Sequence, residues 1–159
     1  MNKAPIISAW RAALEGRLAT LQSSQDAARS GTRVDGEHRP SNRGERAAVT
    51  SQGYLAHAFE ARSLALRSSL EQLDDMGSDP RDEVVIGALL HVVVDGDEPH
   101  FIALLPGGDA SKITVGNHTI TILSANSPLA QQIRDAEVDE TLEVDLGATV
   151  CELTLLSIA

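Results

Sequence analysis

Two stretches of this chain repeat apolar residues at intervals of three and four, and the polar gap between them limits how they can be buried. In the first, Ile7, Trp10, Leu14, Leu18, Leu21 and Ala28 fall on one stripe of a helix. Arg11, Glu15, Arg17, Gln22 and Asp26 occupy its other side. In the second, from about Ala47 to Leu73, the stripe runs through Leu55, Phe59, Leu66, Leu70 and Leu73. Two helices of similar length, each with one narrow apolar stripe, bury best against each other as an antiparallel coiled-coil pair. The gap, SGTRVDGEHRPSNRGER at residues 30–46, holds glycines, a proline and Val34 as its one apolar residue, which reads as a loop. A helix of about 25 residues would carry such a loop roughly 38 Å from the base of the pair. A narrow rod with a charged tip is badly shaped for a pocket and well shaped for reaching into something.

The segment MGSDPR at residues 76–81 clusters glycine, serine and proline where the second stripe stops, so the sequence places a boundary there, with domains at 1–77 and 78–159. Beyond it lie β-rich runs, EVVIGALLHVVVDG, PHFIALLPGGD, HTITILS and TLEVDLGATVCELTLLSI, with turn signals at Asp95-Gly96, Pro106-Gly107-Gly108 and Gly147. In SPLAQQIRD, Ser127 can cap a short helix whose first position is Pro128, where the missing N–H costs nothing. The expected class is α+β: a helical hairpin followed by a small antiparallel sheet holding one short helix. Aromatic residues are 3% of the chain, which fits a core of Leu, Val, Ile and Ala rather than large aromatic anchors.

Charge is distributed unevenly. Of 13 Lys+Arg and 23 Asp+Glu, residues 1–80 hold 10 of each, and residues 81–159 hold 3 basic against 13 acidic. So acidic a half repels phosphate backbones, which argues against direct nucleic-acid binding and for a basic protein surface as its partner. The single cysteine, Cys151, cannot form an internal disulfide and suits a reducing compartment. The N-terminus lacks the pattern of a signal peptide, and VVIGALLHVVV is too short to span a bilayer, so a cytoplasmic location is expected, without membrane contact. The five histidines, His38, His57, His91, His100 and His118, show no metal-ligand spacing. No nucleophile has a base and orienting acid at a recognisable offset, so no catalytic residue, bound metal or cofactor of the chain's own is expected.

The run S-x-N-S-P-L-A formed by Ser124, Asn126, Ser127, Pro128, Leu129 and Ala130, after a helical pair and a VVIGALLHVVV strand, resembles the bacterial Gre family of transcription elongation factors. Within YLAHAFEARSLALRSSLEQL, Tyr54 and Arg67 match the spacing of that family's second helix. The resemblance implies an FKBP-like C-terminal domain that docks on RNA polymerase at the rim of its secondary channel, with Ser124, Asn126, Ser127, Pro128 and Leu129 as docking candidates. It further implies a monomer whose hairpin enters the channel, where tip acids help hold a Mg²⁺ shared with the polymerase active site. Any RNA cleavage would then be the polymerase's, the chain being an accessory factor and not an enzyme. The family's glycine-then-acid turn after the short helix is replaced by Asp135 and AEVDE, both glycines missing. At the tip, counting back from Tyr54, the two acids of cleavage-active members fall on Ala47 and Thr50, neither of which binds metal.

The loop has other acids, Asp35, Glu37 and Glu45, as tip candidates, and Mg²⁺ takes one or two carboxylates plus waters and phosphates. Arg33, Arg39, Arg43 and Arg46 stand beside them and suit phosphate or the polymerase's own carboxylates. Two alternatives to a cleavage-modulating factor are a channel-occupying inhibitor and an interaction module acting through the hairpin. Prolyl isomerase activity is disfavoured, because the β half has Phe101 as its one aromatic residue and cannot line a proline pocket.

Overall fold

The structure, a computed structural model, describes residues 2–32, 43–147 and 149–159, with the backbone alone described at 28–32, 43–50, 52 and 56. Two long helices, α1 (Ala4–Thr32) and α2 (Arg43–Asp74), precede a sheet of six strands and a short helix. Packing divides the chain into a unit of residues 1–12 with 69–159 and a unit of residues 13–68. The sequence-based boundary at 77/78 follows chain order, whereas the start of α1 is built into the β unit.

Along α1 the stripe is observed where it was expected from Ile7 to Leu21: Ile7, Trp10 and Leu14 are buried, Leu18 and Leu21 half-buried, while the side chain of Ala28 lies outside the described residues. In α2 the stripe keeps its phase but loses its first member. Leu55 is 50% exposed, and the inward series runs Phe59, Ser63, Leu66, Leu70, Leu73, with Ser63 buried in the place an apolar count skips. Both helices also extend further than expected: α1 continues past Gly31 to Thr32, and α2 already includes Arg43, Glu45 and Arg46, which the sequence places in the loop.

In the β unit, β1 (Leu89–Val94) and β2 (His100–Leu104) form a hairpin about Asp95-Gly96. Both turn residues have positive φ, 49° and 77°, and Asp97 N–H donates to Val94 O at 2.9 Å, the type I′ geometry that matches strand twist. Next come β3 (Asp109–Val115), β4 (His118–Leu123), α3 (Pro128–Gln132), β5 (Thr141–Asp145) and β6 (Val150–Ile158), in the spatial order β3-β4-β2-β1-β6-β5.

The sheet is mixed, correcting the expected antiparallel one: β2 and β4 run parallel, because β3 occupies the outer edge and returns the chain to β2's side. One face, with Leu90, Val92, Ile102, Leu104, Leu153 and Leu155, forms a core closed by Ala130 and Ile133 at α3. At the end of β2, Trp10 is fully buried and its indole N–H donates to Pro106 O at 2.9 Å. Lys3, also buried, sends its ammonium to the main-chain carbonyls of Asp79, Gly87 and Ala159. Arg11 pairs with Asp74 nearby. No helix among the described residues is long and apolar enough to cross a membrane.

Candidate docking groove

The serine-proline segment folds as its chemistry requires. Ser127 is extended (φ −65°, ψ 150°), and its Oγ accepts from Ala130 N–H at 3.3 Å, satisfying one of the free donors of a helix start. Pro128 follows at the first turn, where no donor is lost. Ser124 shapes the approach: its Oγ accepts from Asn126 N–H at 3.2 Å and its carbonyl from Ser127 N–H at 2.9 Å. Asn126 in turn offers its carbonyl to the Gln131 side chain at 3.3 Å. With Ala130 and Ile133 buried beneath it, α3 presents Pro128 and Leu129 sideways over a groove of about 780 Å³.

The groove floor is aliphatic, Val94, Ile102 and Leu123, with Leu129 and Leu146 on its walls. Distant segments build those walls. On one side Gly108 lies so close to β4 that a Cβ there would sit 2.2 Å from the Leu123 carbonyl carbon. This contact sets down Asp109 and Ala110, where β3 slips register and Ala110 takes φ 65°. On the other side the Gln132 side-chain amide clasps Asp145, accepting from its N–H at 2.7 Å and donating to its carbonyl at 2.9 Å. The clasp holds the β5–β6 turn against α3, and Gly147 N–H closes that turn on the Asp145 carboxylate at 2.7 Å. Asp109 and Asp145 therefore flank an apolar trough that also carries His100, Thr121 and Ser127.

The structure thus brings Ser127, Pro128 and Leu129 into one surface, while Ser124 and Asn126 act through the backbone that leads to it. Among the described residues no Phe, Tyr or Trp lines the groove, and these lining residues do not supply the aromatic walls that grip a proline ring. Of the tip candidates, Arg33, Asp35, Glu37 and Arg39 lie outside the described residues. Arg43, Glu45 and Arg46 lie in the backbone of α2, their side chains outside the description.

Among the described residues no group of His, Cys, Asp and Glu could hold a metal ion. His91 instead stacks on Phe101 at 4.5 Å, and Phe101 meets the His118 ring edge-on at 5.3 Å. The Cys151 thiol is pushed up by its hydrogen bond to the Asp95 side chain, the opposite of an activated nucleophile. Sequence reasoning missed Gly108, Asp109, Gln132 and Asp145; of these, only the double glycine after Pro106 left a signal.

No family model matches the chain, and no curated protein matches it. Among solved structures it is similar to GreA factor homolog 1 (Gfh1) of Thermus thermophilus, at 12% identity and TM-score 0.36, over 94% of each chain. A structure of the transcription factor Gfh1 gives 16% and 0.38, covering 94% of this chain and 93% of that one. Gfh1 of Thermus aquaticus gives 13% and 0.36, covering 95% and 94%. These likenesses are distant and span nearly the full length of each chain.

Proposed function

We propose that this chain is an accessory protein of bacterial RNA polymerase of Gre type. Its β unit docks through the groove at α3, and α1 and α2, paired as an antiparallel hairpin, carry the tip at residues 30–46 into the secondary channel. The observation that carries the reading is the groove: the Ser127–Pro128–Leu129 run, singled out by its resemblance to the family, forms the wall of an aliphatic trough between Asp109 and Asp145. Such a trough takes an apolar side chain, and the carboxylates select one presented among Lys and Arg. The chemistry belongs to the partner. Asp35, Glu37 and Glu45 would reach the polymerase's Mg²⁺, while the arginines of the tip would meet phosphate or the polymerase's carboxylates.

A second reading, a channel-occupying regulator without cleavage activity, is favoured by Ala47 and Thr50, which stand where cleavage-active members of the resembled family have their acids. One assay separates the two: transcript cleavage by a stalled, backtracked polymerase with and without the protein, binding being measured in the same samples. Faster cleavage that disappears in the Asp35→Ala, Glu37→Ala, Glu45→Ala variant, with binding kept, supports the first. Binding without cleavage supports the second. If wild type does not bind, both fail. Leu129→Glu, placing a charge in the trough, should abolish binding in either case.

A further inference from the structure

Resting on that docking reading, we propose that a second apolar patch, around Val85 and Val138, is a further contact with the same polymerase and takes a basic segment bearing an aliphatic side chain. A hollow of about 550 Å³ opens there over Val84 and Ile158, with Val85 and Val138 on its walls. Those two wall residues are 38% and 50% exposed, while Val84 beneath them is buried.

The hollow is held in shape from both sides. Val85 N–H donates to Glu83 O at 2.9 Å and Ala88 N–H to Val85 O at 3.0 Å. Opposite, Glu137 N–H donates to the Glu140 carboxylate at 2.8 Å. Asp139, at φ 67°, ties the turn to Leu155 O at 2.7 Å. A surface preformed in this way costs little ordering when it is covered.

Charge decides what covers it. Asp82, Glu83, Asp135 and Glu137 surround the hollow, with Arg134 as its one cation among the described residues. A second copy of the same patch would bring four carboxylates against four, and nucleic acid would be repelled outright. A protein segment with Lys or Arg around an aliphatic residue satisfies both the valines and their rim.

Proximity lets one partner reach both. Leu129 in the groove and Val138 here are nine residues apart, partly helical, so their separation is at most about 25 Å. An ordinary interface of roughly 800 Å² per partner is about 30 Å across, wide enough to cover both.

The test titrates labelled full-length protein with purified RNA polymerase core enzyme at two salt concentrations. Val138→Glu should weaken binding by about tenfold or more, and Val138→Leu should restore it. Asp135→Lys with Glu137→Lys, both exposed and outside the core, should weaken binding and flatten its salt dependence. If Val138→Glu and the charge reversal bind as wild type while Leu129→Glu does not, the second contact is refuted and the groove stands. If wild type itself does not bind, the docking reading fails and this inference with it.

Discussion

Lys3 is the residue on which three parts of the β unit converge. Its ammonium meets carbonyls from the segment after α2, from the approach to β1 and from the end of β6, at 2.9 Å for Gly87 and 3.3 Å for Ala159. Desolvation lowers its pKa below the ordinary 10.5, with Arg81 pushing the same way and Asp79 opposing. Replacing it by Met keeps the stem but strands a buried acceptor, which should cost about 1–3 kcal/mol. The pH dependence has a definite sign. Because the folded state releases this proton more readily than the unfolded one, the contribution of Lys3 to stability rises as pH climbs from its lowered pKa to 10.5. Denaturant unfolding of wild type and Lys3→Met at pH 7 and pH 10.5 should therefore show a wider gap at the higher pH. A gap that narrows would mean the ammonium is favoured, not disfavoured, by its site.

At the scale of elements, the groove depends on β3 and β4 approaching through Gly108. Gly108→Ala would drive a methyl into the Leu123 and Ser124 backbone, 2.2 to 2.5 Å away, and the Leu105–Leu123 hydrogen bond would shift with it. The expected loss is about 1–3 kcal/mol or more, read from the denaturant midpoint, and an unchanged midpoint would show that the two strands can part freely. This approach was not legible in the sequence, whereas the cap at Ser127 was. A cap is local, with donor and acceptor three residues apart, while the groove joins residues near 108, 129 and 145 that only the sheet brings together. The long stripes of α1 and α2 were legible for the same local reason. Ser63 was missed in α2 because it holds an inward position without being apolar. β3, DASKITV, went unseen because an edge strand of alternating exposed and half-buried residues carries a weak apolar signal. Its placement outside β4 then decided the parallel pairing that no single strand reveals.

For the whole molecule, the division into residues 1–12 with 69–159 and residues 13–68 separates the surface proposed to dock from the part proposed to act. A cut at 77/78 would discard Trp10, fully buried with its N–H on Pro106, and truncating a buried tryptophan alone typically costs about 3–5 kcal/mol. A fragment 78–159 should accordingly be unfolded or aggregated. Excising residues 13–68 instead keeps Lys3, Trp10, Leu73 and the Arg11–Asp74 pair. A Gly/Ser connector of about eight residues, with a reach of roughly 16 Å, would rejoin the chain without imposing a geometry. This shortened chain should melt cooperatively, compete with the full-length protein for RNA polymerase, and leave transcript cleavage and elongation by the polymerase unchanged. Should it fold and compete yet still alter catalysis, the effect would arise from docking alone and the tip would have no part in it. Should it fold and fail to compete, the determinants of binding would lie in residues 13–68, and the groove beneath α3 would not be the docking surface.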